Sequence, residues 1–346
     1  MYYNWSKETN TEELKIVCNL IKNGEVVVFP TETVYGIGAN ALDKDAVGKV
    51  FIAKGRPADN PLIIHLADKS KIEEVAEDIT EVEQKLIDAF MPGPFTIILK
   101  KKMIVPSIVS AGLDSVGVRI PNNIIAKAII QYSGVPIAAP SANVSGKPSG
   151  TTIDDIRQEL ENKVSAIVDG GETQIGLEST VVKVVDEVPV ILRPGAITPE
   201  DIINVVGACK IDDNVFKKVE ENAKVESPGM KYRHYAPETK CILVNYKDPL
   251  DQEFYINRLI RNHKGNVVLL GFGDHRDKIT ISDSRFIDLG KKDDLKGVAK
   301  NLYSSLRKAD KIGSELIIIE AVEKEGIGIA IMNRLLRTCE YNIMEG

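Results

Sequence analysis

Short apolar runs that end at a polar or small residue limit the fold of this chain more than any other feature. Strands are predicted at residues 25–29, 61–66, 95–99, 116–120, 135–139, 165–168, 181–182 and 190–192. Segments with helical periodicity separate several of these runs. The alternation is typical of an α/β protein, in which ligands usually bind where strands end.

The first two helices carry recognisable start and stop signals. Asn10 or Thr11 is predicted to cap the first helix, and Asp43 the second, which ends at Gly55. Lys54 then lies in the last helical turn, where a positive charge suits the helix dipole, so a purely structural role stays open for it. A third helix is predicted over residues 72–90.

The last third of the chain predicts a second, smaller domain. Residues 210–226 are charged and mixed, and we interpret them as a linker. Beyond it, strands and helices alternate up to a final helix at 327–339, which predicts a doubly wound, mostly parallel sheet. The predicted division is a catalytic domain at 1–208, a linker and active-site lid at 209–238, and a C-terminal α/β domain at 239–346.

Ligand-type residues concentrate between Pro30 and Leu66. Lys54, Arg56, Asn60 and His65 lie within twelve residues there, after a stretch of hydroxyls and glycines. Cations beside amide donors suit a polyanion such as a nucleotide phosphate. For any single cation the alternative is a solvated loop, and for His65 it is a core histidine with satisfied hydrogen bonds.

Two further features point to a ligand. Arg119 interrupts a buried strand, so its charge must be paired or face a ligand. The loop from Pro140 to Thr152 follows another strand and is rich in hydroxyls, including Ser141 and Ser149. A flexible linker is the alternative for this loop.

Several function classes are excluded or disfavoured. The Gly36–Ala41 run matches a dinucleotide fingerprint, but six residues separate it from the preceding strand, so we reject it; the Walker A pattern is absent. The four cysteines are isolated, which argues against structural zinc and for a reducing compartment. A net charge of -6 and a pI near 5.5 disfavour a general affinity for nucleic acid. No apolar run is long enough to span a membrane, so we expect a cytoplasmic protein without membrane contact.

Eight short motifs, taken together and in order, resemble the YrdC-like domain. They are Pro30–Gly36 (PTETVYG), Lys54–Pro57 (KGRP), Asn60–Leu62 (NPL), Pro92–Pro94 (PGP), Val118–Pro121 (VRIP), Ala139–Asn143 (APSAN), Gly176–Thr180 (GLEST) and Leu192–Gly195 (LRPG). The segments Lys231–Pro237 (KYRHYAP) and Asn333–Leu335 (NRL) are similar to the long form of the L-threonylcarbamoyladenylate synthase family. The resemblance implies a twisted mixed sheet with flanking helices, followed by a Rossmann-like parallel-sheet domain.

Enzymes of this family are nucleotidyltransferases. The resemblance implies that L-threonine, bicarbonate or CO2, and ATP are joined into threonylcarbamoyl-AMP with release of pyrophosphate, assisted by Mg2+. The product serves modification of the adenosine beside the tRNA anticodon. A tRNA threonylcarbamoyl transferase complex is the implied partner, with weak direct contact to tRNA as a further expectation.

The resemblance also implies roles for individual residues. For threonine they are Thr33, His65, Arg119, Ala139 and Ser179. For ATP they are Lys54, Arg56, Asn60, Ser115, Ser141, Ser149, Arg193 and Tyr235. Lys54, Arg56, Ser141 and Asn143 form the catalytic KxR and SxN signatures, and no metal ligands are implied.

Two rival functions stay open at this level. The same cationic groove could hold RNA without catalysis, which the acidic net charge disfavours. The chain could instead handle carbamoyl phosphate, although it lacks the zinc-finger cysteines that proteins of that kind carry.

Overall fold

The computed structural model describes residues 1–6, 8, 10–219, 225–229 and 234–346. The chain divides into two units, the first comprising Met1–Ser145 and Ser149–Tyr232, and the second Gly146–Pro148 and Arg233–Gly346. The first unit contains a mixed sheet and the second an all-parallel sheet, so the predicted fold class is confirmed. The predicted boundaries near 208 and 238 stay predictions.

Twelve strands form the sheet within the described part of the first unit. They are β1 (Tyr2–Asn4), β2 (Val27–Phe29), β3 (Gly36–Asn40), β4 (Ile63–His65), β5 (Ala76–Glu77), β6 (Phe95–Lys101), β7 (Ser115–Arg119), β8 (Ile137–Ala138), β9 (Ala166–Asp169), β10 (Thr180–Val185), β11 (Val188–Arg193) and β12 (Lys210–Ile211). The order is β1-β9-β2-β3-β8-β4-β7-β6-β10-β11-β12, with β5 paired to β6. The last of these strands lies inside the segment that was interpreted as a linker.

Helices surround this sheet. They are α1 (Thr11–Lys22), α2 (Lys44–Lys54), α3 (Glu81–Phe90), α4 (Ser107–Ser110), α5 (Ile124–Ser133), α6 (Ile153–Leu160) and α7 (Pro199–Val206). The Asn10 side chain accepts from the amides of the first turn of α1, and Asp43 does the same for α2, so both predicted caps are confirmed. Gly55 ends α2 at a φ of 61°, a left-handed conformation that glycine adopts without strain.

The helix predicted over 72–90 is wrong in its first half. Residues Lys69–Glu74 form a 3-10 helix, and β5 then pairs with β6. Thr80 caps α3 through a capping box with Glu83, so the helix begins only at Glu81. A local cap and an edge strand therefore override the helical periodicity.

The glycines of the rejected dinucleotide fingerprint lie inside β3 rather than at a strand-to-helix turn. A Cβ at Gly38 would lie 2.6 Å from Ile137 Cγ2 and 3.0 Å from the Phe29 ring. Close packing between strands therefore explains this glycine, and the rejection is confirmed.

The core of the first unit lies on both faces of its sheet. Val27 and Phe29 pack in a cluster with α1 and α5, whereas Val28 packs in a cluster with α2 and α6. Successive strand residues point to opposite faces, so β2 is covered on each side. A third cluster packs α3 and α7 against strands that include β6 and β7.

The second unit contains β13 (Cys241–Asn245), α8 (Pro249–Asn262), β14 (Val267–Gly271), β15 (Phe286–Asp288), α9 (Leu295–Lys311), β16 (Leu316–Glu320), α10 (Gly328–Thr338) and β17 (Ile343–Glu345). Its strand order is β15-β14-β16-β13-β17, and every pair is parallel. The predicted parallel-sheet domain is therefore confirmed, although the sequence analysis missed β17.

Candidate active site

The segment 30–36 is held by backbone hydrogen bonds to two later parts of the first unit. The Thr33 carbonyl accepts from the Gly176 amide at 3.0 Å. The Tyr35 carbonyl accepts from the Ala142 amide at 2.7 Å. Three of the motifs that are far apart in the sequence are thereby brought together.

Two predicted threonine-contacting residues are neighbours at the ends of adjacent parallel strands. His65 ends β4, Arg119 ends β7, and the two are paired in register. Each is 4% exposed. The Nδ1 of His65 donates to the Ile63 carbonyl at 3.2 Å. Burial, followed by the charge of Arg119, lowers the pKa of His65 to about 3, so this imidazole is neutral at physiological pH.

Ser179, directly before β10, is in contact with Arg193, the last residue of β11. The Ser179 hydroxyl shares a hydrogen bond of 2.8 Å with Thr96, whose strand lies beside that of Arg119. Arg193 Nη2 donates to the Ser179 carbonyl at 3.0 Å and to its hydroxyl at 3.2 Å. Arg193 Nη1 also donates to the Pro228 carbonyl at 3.3 Å. A residue that is predicted to contact ATP is thus in contact with a residue that is predicted to contact threonine.

The KxR and SxN signatures meet through Lys54. Its ammonium donates to the Ser141 carbonyl, to the Asn143 carbonyl at 2.6 Å and to Asn143 Oδ1 at 3.4 Å. Ser141 Oγ in turn donates to Asn143 Oδ1 at 2.6 Å. Three contacts match the three protons of an ammonium group, so Lys54 anchors the loop at 141–143.

Burial lowers the pKa of Lys54 well below its ordinary value. The charge of Arg56 lowers it further, whereas Glu159 and Glu178 raise it. Arg56 is itself 8% exposed, and its guanidinium donates to the Pro61 carbonyl at 3.2 Å. Two cations are therefore held close together in a buried environment, which suits an anionic ligand.

Three other predicted residues lie in buried positions of the same unit. Asn60 is 1% exposed, and its Oδ1 has no hydrogen-bond partner within the described residues. Ser149 donates to Glu178 Oε1 at 2.5 Å. Ala139, just after β8, donates its amide to the Ile63 carbonyl at 3.0 Å.

Two predicted residues make none of the contacts described above. Ser115 begins β7, at the opposite end from Arg119, and its hydroxyl donates to Glu226 at 3.3 Å. Tyr235 belongs to the second unit, where its ring stacks on Tyr303. Their contacts with ATP stay predictions. So does the lid, since residues 231–233 of that segment lie outside the described residues.

The sequence analysis missed Glu32. Its side chain is 4% exposed, and its Oε1 lies 2.8 Å from Arg119 Nη2. The demand that the charge of Arg119 be paired is a sequence signal for such a partner, but it does not distinguish Glu32 from Glu178, the other acidic residue within the matched motifs.

Two other kinds of feature, a metal-binding cluster and a membrane-spanning helix, are absent from the described ranges. No group of three or more histidine, cysteine, aspartate or glutamate side chains there could hold a metal ion. No helix there is both long and apolar enough to cross a membrane.

Two family models together span most of the chain. The Sua5_yciO_yrdC model, described as telomere recombination, matches residues 19–195, and the model of the threonylcarbamoyl-AMP synthase C-terminal domain matches residues 197–339. The threonylcarbamoyl-AMP synthase of Pyrococcus abyssi is 43% identical, over 96% of this chain and 96% of its own. The chain belongs to the threonylcarbamoyl-AMP synthase family.

A second relative and a solved structure support the same assignment. The Bacillus subtilis enzyme is 42% identical over 95% of this chain and 93% of its own. The crystal structure of Pyrococcus abyssi Sua5 complexed with L-threonine superposes with a TM-score of 0.93 at 41% identity, covering 100% of this chain and 99% of the other. The predicted family and the nucleotidyltransferase class are therefore confirmed.

Proposed function

We infer that this protein joins L-threonine, CO2 or bicarbonate, and ATP into threonylcarbamoyl-AMP and releases pyrophosphate. The observation that carries this proposal is a set of four buried cations in one unit, which are Lys54, Arg56, Arg119 and Arg193. Two of them contact a side chain of another motif, since Lys54 donates to Asn143 Oδ1 and Arg193 to the Ser179 hydroxyl. A nucleoside triphosphate and an amino-acid carboxylate are both anionic, and such a set of cations binds both.

For threonine, the proposed contacts are Thr33, His65, Arg119, Ala139 and Ser179. Arg119 takes the carboxylate, because a guanidinium binds a carboxylate through two parallel hydrogen bonds. The hydroxyls of Ser179 and Thr33 lie in buried hydrogen-bonded pairs with Thr96 and Thr31, and each can exchange its partner for the threonine hydroxyl.

For ATP, the proposed contacts are Arg56, Asn60, Ser115, Ser141, Ser149, Arg193 and Tyr235. Arg56 and Arg193 offset the charge of the triphosphate. Lys54 acts through the loop at 141–143, which its ammonium fixes, and it adds positive charge beneath that loop. The buried Oδ1 of Asn60 is available to accept from a ligand donor such as the adenine amine.

The transfer of the nucleotidyl group to the carbamate needs no covalent intermediate with the protein. A carbamate is an anionic oxygen nucleophile; its oxygen forms a bond to the α-phosphorus while the bond to the bridging oxygen breaks and pyrophosphate leaves. Positioning and charge stabilisation then dominate the rate. Arg56 and Arg193 supply that stabilisation by facing charge that moves onto the leaving group.

The finer assignments follow from this reaction. Mg2+ enters with the nucleotide, since it is usually bound by phosphate oxygens and few protein groups. The four free cysteines fit a cytoplasmic enzyme. The labile product passes to a tRNA threonylcarbamoyl transferase complex, and direct tRNA contact is weak because the chain is acidic.

The test is pyrophosphate release with each candidate substrate. Release that depends on threonine, bicarbonate and ATP together supports the synthase. Release with carbamoyl phosphate in place of threonine and bicarbonate contradicts it in favour of carbamoyl transfer. If neither assay releases pyrophosphate and the protein binds RNA in a salt-sensitive way, the synthase is contradicted in favour of an RNA-binding module.

A further inference from the structure

Glu32 is a buried carboxylate whose environment calls for an explanation. Its side chain is 4% exposed, yet neither of its oxygens accepts a hydrogen bond of normal geometry from the described part of the chain. Its described ionic partner is Arg119, at 2.8 Å. Leaving a buried carboxylate without hydrogen-bond donors is costly, so such a group is usually retained for function.

Glu32 is also held in place by its neighbours. Its own carbonyl accepts from the Ile175 amide at 2.9 Å, and the Gly176 amide donates to Thr33. The backbone on both sides is thus fixed by the same loop that leads to Ser179. The carboxylate therefore has a defined position beside the proposed threonine contacts.

The pairing of Glu32 with Arg119 matches what an α-amino acid requires. The carboxylate and the ammonium of a zwitterion sit on the same carbon, so a site for both needs a cation and an anion side by side. Arg119 and Glu32 are such a pair. Glu178, another buried carboxylate in this region, already accepts from Ser149 at 2.5 Å and is less suited to a second donor.

We propose that Glu32 binds the α-ammonium of threonine and accepts its proton, which turns the ammonium into the amine that adds to CO2. This rests on the proposed function. The proton moves from nitrogen to the Glu32 carboxylate, and the nitrogen lone pair then forms the N–C bond as one C=O electron pair moves onto oxygen. The second N–H proton of that adduct leaves to water, so threonine ammonium and CO2 give the carbamate and two protons.

Arg119 acts on both partners of this proton transfer. Arg119 already lowers the pKa of His65, its neighbour in the sheet, and a bound ammonium would meet the same field. The positive charge of Arg119 disfavours the ammonium form of the substrate. The same charge attracts the carboxylate of Glu32, so the proton does not stay there but passes on to water, and addition of the amine to CO2 draws the transfer forward.

The deciding experiment separates carbamate formation from nucleotidyl transfer, using Glu32→Gln. Synthesis from threonine, bicarbonate and ATP at neutral pH is expected to fall about 100-fold or more, the usual contribution of a proton acceptor. Pyrophosphorolysis of supplied threonylcarbamoyl-AMP to ATP needs no such acceptor and should stay near the unmutated rate. Raising the pH should restore part of the synthesis, because the free amine then forms in solution.

Glu83→Gln is the matched control. Glu83 is a buried carboxylate of the same unit that accepts from the Thr80 amide in a capping box, a role that glutamine can keep. Both activities should be unchanged in this variant.

Two results would overturn the proposal: equal losses in both directions, which make Glu32 a mere support of Arg119, or full synthesis at neutral pH. If the unmutated enzyme makes no adenylate, the proposed function fails instead.

A binding experiment on the unmutated enzyme decides the question if Glu32→Gln does not fold. The compound 2,3-dihydroxybutanoate carries a hydroxyl in place of the ammonium of threonine. It should bind at least about 10-fold more weakly than threonine. Equal affinity contradicts the role of Glu32.

Discussion

At the scale of single residues, three buried cations are fixed by backbone carbonyl oxygens. Lys54 donates to Asn143, Arg56 to Pro61, and Arg193 to Ser179. A carbonyl oxygen orients a cation without neutralising it, so the positive charge remains to act on an anionic ligand. Arg119 also donates to a backbone carbonyl, that of Gly93, at 3.4 Å, but it differs because it is paired with a carboxylate.

Replacing Arg56 tests this arrangement. We expect Arg56→Ala to lower adenylate synthesis about 100-fold, the cost of removing one preorganised charge-stabilising group. The free energy of unfolding should fall by only about 1 kcal/mol, because few net hydrogen bonds are lost. Steady-state kinetics and urea unfolding measure the two quantities.

Arg157→Ala is the control, since Arg157 is half-exposed and ion-paired with Glu161, the residue that caps the C-terminus of the same helix. Its activity should match that of the unmutated protein. A large loss of stability in Arg56→Ala, with activity falling only in proportion to the unfolded fraction, would show a structural role instead.

The pKa of His65 predicts a pH dependence of stability. Its folded pKa of about 3 lies below the ordinary 6.5, so the unfolded chain takes up a proton first as the pH falls. Stability is therefore lost as the pH falls from about 6.5 to about 3, and the loss between pH 7 and 5 is about 2 kcal/mol.

His65→Gln should remove this part of the pH dependence. Urea unfolding at pH 7 and pH 5 measures it, as the difference between the two pH values in each protein. An equal difference in the two proteins would mean that His65 does not resist protonation in the fold.

At the scale of elements, the predictable parts are those with local signals. The caps at Asn10 and Asp43 were found because their side chains bond amides within the next turn. Strand β3 was not recognised, since Gly36 and Gly38 weaken its β-propensity and only pairing with β2 and β8 makes it a strand.

The same limit applies to the candidate site. The resemblance supplied Arg119 and Ser179 by their motifs, but the contact between Glu32 and Arg119 joins residues that are far apart in the sequence. Such a pair depends on sheet order, which no local pattern encodes.

Two glycine substitutions test the packing of β3. Gly38→Ala should destabilise the protein by about 1–3 kcal/mol, because the added Cβ meets a branched side chain at 2.6 Å. Gly48→Ala, within α2, meets no atom within 4 Å and should stabilise by about 0.5–1 kcal/mol through helix propensity. Urea midpoints measure both, and changes of the same sign would contradict the account.

At the scale of the whole molecule, the two units have different relations to the proposed reaction. Apart from Tyr235, all of the predicted substrate-contacting residues belong to the first unit. The parallel sheet of the second unit could be predicted from its alternating strands and helices. Any part of this unit in the reaction stays a prediction, since several residues of the segment 209–238, the predicted lid, lie outside the described ranges.

Truncation after Gly207 tests whether the rest of the chain supports the reaction. We expect the truncated chain to give less adenylate, because a carbamate loses CO2 readily in water and the predicted lid would protect it. Adenylate yield and ATP affinity are the measurements, with thermal unfolding as the control for folding. An unchanged adenylate yield together with an unchanged ATP affinity would contradict the prediction of a lid.

The most direct measurement of the central claim is mass spectrometry of the nucleotide product formed from 13C-bicarbonate, threonine and ATP. We predict an adenylate that contains both the threonine and one 13C atom, formed in equal amount to pyrophosphate and absent when threonine is replaced by valine. A nucleotide product without the label, or one that forms equally well without threonine, would contradict the account.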